Sequence, residues 1–354
     1  MKLEDLGFDD WFKKESEMYQ DSGYDIARVA AVDKNQFVLR NEETIIPAEV
    51  TGKIIYKATS MLDFPTIGDW VKVQYFNDRT FAVINSIFPR KSLLKRKMAG
   101  DKVEFQAIGA NIDVAFIIQA ADNDFNIPRL ERYLTMVSEA GIKPIIFLSK
   151  VDLISIDDLN QKISDINSIN HSKDIIAFSN FSKQGLIEIT SIIKAGMTYC
   201  LIGSSGVGKT SLLNNLIGED LYTTDSVRIK DGKGKHITAR RQLIILKNGG
   251  IIIDTPGMRE LGNIGASKGI NETFSDVYKL AENCKFKDCT HIVEPGCKIL
   301  EAVKNGSLNQ KHYQNFLKLR KESEYYEMTY QEKRKKDHSF GKFIKQAMKN
   351  NKKV

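Results

Sequence analysis

Residues 197–217 read MTYCLIGSSGVGKTSLLNNLI. An apolar run, MTYCLIG, leads into the octet Gly203-Ser204-Ser205-Gly206-Val207-Gly208-Lys209-Thr210, and Ser211 opens a helix, SLLNNLI. The pattern G-x-x-x-x-G-K-[ST] between a strand and a helix is a phosphate-binding loop. Its glycines let backbone N–H groups close around phosphate oxygens, and the helix N-terminus adds the positive end of its dipole. Lys209 is expected to reach the β- and γ-phosphates, and the Thr210 hydroxyl to ligate Mg²⁺. Such a unit belongs in a parallel sheet.

The flanking sequence supplies that sheet. VAFIIQAA (114–121), KPIIFLSK (143–150), DIIAFS (174–179), RQLIILK (241–247) and GGIIIDTPG (249–257) are apolar runs of strand length, and PRLERYLTMVSEAG (128–141) has helical period. Continuous apolar strands are buried on both faces, so helices are expected on either side of the sheet. Asp254-Thr255-Pro256-Gly257 ends its strand at the edge where ligands bind in such sheets. Asp254 is the expected Mg²⁺-orienting carboxylate, and Gly257 the expected γ-phosphate contact.

A phosphate loop does not choose a base. Ser149-Lys150-Val151-Asp152, closing the strand KPIIFLS, resembles the N/T-K-x-D guanine signature with Ser149 in the first position. A carboxylate at Asp152 accepts from both guanine N1–H and its N2 amino group, a donor pair adenine lacks, while Lys150 lays its methylenes over the base. Taken alone, the tetrapeptide also fits a surface turn. Ser179-Asn180 stands where such proteins carry a Ser-Ala pair whose backbone N–H meets guanine O6. The order is the informative feature. The base-reading motifs come before the phosphate loop and the DTPG motif comes last, so the usual GTPase sequence is present but rotated, as in a circular permutation.

Two further regions flank this core. Residues 1–98 hold five short β-rich runs: ARVAAV (27–32), QFVLR (36–40), AEVTGKIIY (48–56), DWVKVQYF (69–76) and TFAVINSIF (80–88). That count fits a small closed barrel, an OB-fold or an SH3-like alternative. The basic run PRKSLLKRK (89–97) is either an RNA-contacting linker or a solvated tether. Downstream, Cys284, Cys289 and Cys297 enclose His291 within 14 residues. Three thiolates and an imidazole suit one structural, tetrahedral Zn²⁺ with no open coordination position, whereas Cys200 reads as a buried apolar thiol. The expected division is 1–98, 99–262 and 263–354, a multidomain α/β chain of barrel, permuted GTPase and helical zinc domain.

Composition narrows the function classes. The 354 residues are 42% hydrophobic and 27% charged, in the globular range, and no apolar run has the length of a membrane span. With no signal-peptide pattern at the N-terminus, a soluble, cytoplasmic protein is expected. The net charge of +7 is local: residues 311–354 hold 13 Lys/Arg and 5 Asp/Glu, leaving 39 and 40 elsewhere. Such a basic tail suits a polyanionic partner or a solvated helix. Its Tyr325, Tyr326, Tyr330, Phe340 and Phe343 interleave with Lys and Arg, as in an RNA-docking helix, or serve as packing residues.

On the permuted motifs, IIIDTPGMRE (251–260) and CKFKDCTHIVEPGC (284–297), the chain resembles the RsgA (YjeQ) family of circularly permuted, ribosome small-subunit-dependent GTPases over nearly its whole length. The resemblance implies an OB-fold, a permuted GTPase and a zinc domain in that order. It also implies GTP hydrolysis to GDP, stimulated by the small ribosomal subunit and its rRNA, in late subunit maturation; a monomer is expected. The family's G-R-H-T-T-T stretch falls on Gly234-Lys235-His236-Ile237-Thr238-Ala239. This makes Thr238 the candidate switch and Mg²⁺ ligand, ahead of Thr223 and Thr224. Met258 occupies the position where many GTPases orient the attacking water with glutamine, which leaves His236 as the catalytic candidate or as a loop histidine touching rRNA. The alternative reading is a GTP-loaded checkpoint whose turnover is incidental.

The base assignment is open to test. Asp152→Asn is expected to move preference from GTP towards xanthosine triphosphate, since an amide donates to the xanthine C2 carbonyl. Competition binding with the two nucleotides measures it, and unchanged GTP affinity would refute the assignment.

Overall fold

The computed structural model describes residues 1–17, 23–33, 36–98, 104–169, 174–218, 222–223, 226–229, 241–254 and 267–328. Its N-terminal part is a barrel of β1 (Asp25–Asp33), β2 (Gln36–Arg40), β3 (Ile45–Val50), β4 (Trp70–Phe76) and β5 (Phe81–Ile87). The order β1-β2-β3-β5-β4, with β4 paired back to β1, closes the ring and leaves no free edge. Alternating side chains, among them Val29, Leu39, Ile46, Val71, Val73 and Ile84, fill it. This is the five-stranded OB-type barrel expected from the strand count. Before it, α1 (Asp10–Glu17) caps one end with Phe12 against Trp70.

One expected strand is corrected. The run 48–56 ends as a strand at Val50, and Gly52–Lys57 forms α2. The alternation of apolar and polar residues breaks at Ile54-Ile55, and the N–H of Ala58 donates to Ile54 O at 3.0 Å, a helical bond.

The basic run 89–97 is not a solvated tether but is built into the fold. The Arg90 guanidinium grips Asp69 at 2.8 and 2.7 Å and donates to Leu62 O and Phe64 O. Lys91 pairs with Asp9. The remainder forms β6 (Leu93–Lys97), paired antiparallel with β7 (Phe105–Ala110). The expected boundary after residue 98 therefore falls between two strands of one hairpin.

The nucleotide-type sheet comprises β8 (Val114–Ala120), β9 (Lys143–Ser149), β10 (Ile175–Ala177), β11 (Thr198–Ile202), β14 (Arg241–Ile245) and β15 (Ile251–Asp254), with the small hairpin β12 (Tyr222–Thr223) and β13 (Ser226–Ile229) apart from it. In the order β10-β9-β8-β11-β15 every neighbour is parallel. The helices α3 (Ile127–Glu139), α4 (Ile156–Ile169), α5 (Leu186–Ile192) and α6 (Lys209–Ile217) connect and cover it. Apolar clusters lie on both faces, one including Ile117, Leu134 and Ile253, the other Phe116, Phe147 and Leu212. Cys200 lies in this core, and burial pushes its thiol up to about 12. Beyond β15, antiparallel β14 pairs with β1 of the barrel, Ala31 opposite Gln242, so barrel and GTPase sheet form one run of eleven strands. Arg28 of β1 seals the joint: its buried guanidinium donates to Gly68 O at 3.2 Å and to Thr198 Oγ1 at 2.9 Å.

The C-terminal part is helical: α7 (Ser267–Thr273), α8 (Ser275–Ala281), α9 (Lys298–Lys304) and α10 (Gln310–Glu327) pack around Ile270, Phe274, Val277, Ile299, Phe316 and Leu319. It docks on α3. A Cβ added to Gly269 would lie 2.0 Å from Thr135 O, so only glycine lets α7 approach this closely. Arg132 pairs with Glu322 of α10 at 2.9 and 3.0 Å. At the centre, buried His312 donates to Glu131 of α3 and, at 3.2 Å, to Asp276 of α8. Burial by itself would lower the imidazole's pKa, but the bonds to Asp276 and Glu131 outweigh it and push it up to about 9.

Because the folded value lies above the ordinary 6.5, the stabilisation from His312 is complete below pH 6.5 and is lost as pH rises through about 9. Thermal unfolding of wild type and His312→Gln between these limits is expected to show the wild-type advantage shrinking with rising pH. A pH-independent difference would remove the charged network from the docking interface.

Candidate functional site

The phosphate loop runs from the end of β11 into α6. Gly203, with φ +156°, packs so tightly against β8 that an added Cβ would lie 2.3 Å from Ile118 O. Gly208, with φ +94°, precedes the first residue of α6 in a left-handed conformation, as the turn into that helix requires. Ser205 and Gly206 are exposed, Val207 is buried, and Ser204, Thr210 and Ser211 are half-buried. The Lys209 ammonium curls over its own loop, donating to Gly203 O at 2.8 Å and Ser204 O at 2.5 Å. Phosphate oxygens at the loop would offer that ammonium stronger, charged acceptors.

Asp254 ends β15 in the strand next to β11. It is 9% exposed, and among the described residues its Oδ2 has no hydrogen-bond partner. Desolvation pushes its carboxyl up to about 6, with Lys209 pulling the other way. An orphaned, desolvated carboxylate oxygen beside a phosphate loop fits a divalent cation, whose charge would restore the ionised form. His236, Thr238 and Gly257, with Thr224 and Met258, lie outside the described residues.

Both segments expected to read the base are hydrogen-bonded to the phosphate loop. Ser149, fully buried at the end of β9, donates from Oγ to Val207 O at 2.7 Å, with Gln119 O a longer second acceptor at 3.4 Å. Asn180 donates from Nδ2 to Gly208 O at 3.0 Å and accepts from Asn215 of α6 at 2.9 Å. Consecutive carbonyls of one loop thus hold the two segments, and the shorter Ser149 works beside an amide at position 180. Ser179 is buried, and its Oγ accepts the N–H groups of Phe181 and Ser182, shaping the turn after β10. Lys150 has φ +61°, and Asp152 is exposed in the following turn. Asp122 and Asp124, unremarked in the sequence, also reach these loops: Asp122 pairs with Lys150 at 2.7 Å and Asp124 accepts from Ser204 Oγ at 2.7 Å. The signal that could have found them was their place, just past the C-terminal end of a buried parallel strand.

The Cys/His residues come together as the sequence anticipates. The ligand atoms of Cys284, Cys289, His291 and Cys297 lie within 4.8 Å of one another. Cys284 and Cys297 Sγ are 3.9 Å apart, and each is 3.7 and 3.6 Å from His291 Nδ1, respectively. A tetrahedron with ~2.3 Å Zn–S and ~2.0 Å Zn–N bonds has edges of about 3.5–3.8 Å, so the donor set fits Zn²⁺. His291 sits at φ +65° within a loop organised by Glu294, whose carboxylate accepts N–H groups from Thr290, Ile292 and Val293. Tyr313 donates to His291 O at 2.6 Å and fastens the knuckle to α10.

Residues 87–264 match the model of the RsgA GTPase family. The chain is 38% identical over 339 residues to the small ribosomal subunit biogenesis GTPase RsgA 1 of Bacteroides thetaiotaomicron, covering 95% of this chain and 93% of that one. Among solved structures it is similar to YjeQ from Thermotoga maritima, with a TM-score of 0.62 and 24% identity over 85% of this chain and 99% of that one. It is likewise similar to YloQ, described as a circularly permuted GTPase, with a TM-score of 0.60 and 23% identity over 88% and 99% of the two chains. Rotated motif order, shared fold and 38% identity over nearly the whole chain agree: the chain belongs to the RsgA GTPase family and is a GTP-hydrolysing enzyme.

Proposed function

We propose that this chain hydrolyses GTP to GDP and phosphate during late maturation of the small ribosomal subunit, with the subunit and its rRNA as target and activator. The observation that carries the hydrolytic reading is the convergence of both base loops on consecutive carbonyls of the phosphate loop, beside the orphaned carboxylate of Asp254. The relative from Bacteroides thetaiotaomicron is named for small ribosomal subunit biogenesis, which supports the subunit as the target. In this reading Asp152 recognises guanine, the 203–211 loop cradles the phosphates, and Lys209 leaves its own carbonyls for them. Thr210 and Asp254, with Thr238, would hold Mg²⁺, which supplies charge neutralisation at the β- and γ-phosphates. His236 and Gly257 act at the γ-phosphate. Zn²⁺ in the Cys284–Cys289–His291–Cys297 set has a structural role, since four protein ligands leave water no place.

Exposed apolar residues beside lysines support contact with RNA. Tyr56, 91% exposed, stands on α2 between Lys53 and Lys57. Phe286 is exposed on the Cys/His knuckle with the Lys285 ammonium 5.4 Å from its ring centre, and Val293 is exposed on the same knuckle. Aromatic faces for stacking, set among cations for phosphates, are the ordinary equipment for single-stranded RNA. The basic residues 329–354 lie outside the described part and extend the same charge. Among the described residues no helix is long and apolar enough to cross a membrane.

Multiple-turnover phosphate release, with and without purified small subunits, tests the reading. Stimulation well above ~10-fold is expected, and His236→Ala should lose ~10²-fold of the stimulated kcat while keeping GTP affinity. Turnover indifferent to subunits would instead assign a checkpoint with incidental hydrolysis.

Metal content is a separate test. Purified protein is expected to carry one zinc per Cys₃His set, and Cys289→Ser to lose it, with the 284–297 loop losing hydrogen-exchange protection before the helical core around Phe274 and Phe316. Metal-free protein from a chelator-free preparation would contradict this.

A further inference from the structure

Residues 121–126, between β8 and α3, border the proposed guanine site. The N–H of Ala121 donates to Ser149 O at 2.8 Å, so this segment leaves β8 tied to the start of the 149–152 motif. Asp122 comes next. One carboxylate oxygen, Oδ2, accepts from Lys150 Nζ at 2.7 Å, and the other accepts the Asp124 N–H at 2.9 Å. Its carbonyl accepts the Phe125 N–H at 3.0 Å. The carboxylate is therefore fixed by main chain on its own side. Lys150 answers with a left-handed backbone, φ +61°, a conformation that strains a residue other than glycine. Asp124 braces the same segment against the phosphate loop: it accepts from Ser204 Oγ at 2.7 Å and is forked by Arg129 of α3 at 3.0 and 2.7 Å.

We propose that Asp122 is a positioning residue of the nucleotide site, clamping the Lys150 ammonium so that the lysine methylenes are already laid out for the plane of the base that Asp152 reads. This rests on the guanine reading of residues 149–152. The pair is partly exposed, with side chains at 34% and 27%, so its Coulomb energy is modest. Its value lies in order. A free lysine has several rotatable bonds to immobilise when a base packs on it, and a lysine held beforehand has already lost that freedom. The bond to Lys150 holds the Asp122 carboxyl below its usual range, so the clamp is charged at neutral pH. Lys150 and Arg129 in turn offset the two aspartates, which would otherwise repel an anionic ligand at this mouth.

Stacking under a lysine does not depend on the exocyclic amino group. Loss of the clamp should weaken guanine and hypoxanthine nucleotides alike, whereas change at Asp152 alters their ratio. The test is calorimetric binding of GDP and IDP to the full chain as wild type, Asp122→Ala, Lys150→Ala and the double variant, with melting temperatures alongside. Asp122→Ala is expected to weaken both nucleotides by about three- to tenfold, the effect of one unordered long side chain. In the Lys150→Ala background the same change should add nothing. Wild-type affinity in Asp122→Ala, an undiminished further loss in the double variant, or a changed GDP-to-IDP ratio would each overturn the proposal. Lys150→Ala binding like wild type would overturn the guanine reading itself. Should Asp122→Ala not fold, Asp122→Asn keeps the Oδ1 acceptor and the shape, and its affinity must still fall at unchanged melting temperature.

Discussion

Main-chain pairing of five parallel strands, β10-β9-β8-β11-β15, is the constraint on which the nucleotide site depends. Parallel pairing puts the C-terminal ends of all five strands at one edge, and each end delivers a different part of the site. β9 delivers Ser149 to Asp152, β10 delivers Ser179 and Asn180, β11 delivers the phosphate loop, and β15 delivers Asp254. β8 delivers Asp122 and Asp124. A sheet is indifferent to the order in which the chain visits its strands, provided the connections are long enough and correctly handed. The rotated motif order is therefore compatible with an ordinary nucleotide site, and only the position of the chain ends changes.

Those ends matter for what is attached where. The strand carrying Asp254 is followed by the C-terminal helices, which do not hang from it alone. They rest on α3 through His312, Asn315 and Glu322, against Glu131 and Arg132, and through the close approach of Gly269 to Thr135. The same helix begins beside Asp124, whose carboxylate Arg129 grips and which meets Ser204 of the phosphate loop. One element thus has one end at the phosphate loop and one face on the domain that holds the Cys/His cluster. At the other side of the sheet, β1 serves as a barrel strand and as the neighbour of β14, with Arg28 buried at the joint.

Legibility in the sequence followed the range of the interaction. The apolar runs of the central sheet correspond closely to observed strands, because a strand buried on both faces must be apolar throughout. The helical Ile54–Tyr56 was misread because three apolar residues in a row have no period, and the turn of chain after Thr51 decides their conformation. Arg90 was read as a surface charge since composition cannot show that Asp69 and two carbonyls wait for it across the barrel. Ser149 stands where the signature carries Asn or Thr; in the fold its hydroxyl and the Asn180 amide hold neighbouring carbonyls of the phosphate loop.

Besides the cyclic order of the motifs, the sequence by itself determined the features whose chemistry is local: the phosphate loop between strand and helix, the carboxylate at the end of β15, and the Cys/His cluster 284–297. Each is fixed by residues close along the chain, so spacing carries the information. Only the tertiary structure decided that barrel and GTPase share a sheet, that α3 carries the C-terminal helices, and that Asp122 holds Lys150. These join residues far apart along the chain, such as Arg28 and Thr198 or Glu131 and His312, and no local pattern records them. Such pairs depend on where strand pairing and packing bring distant backbones, which is settled only when the whole chain has folded.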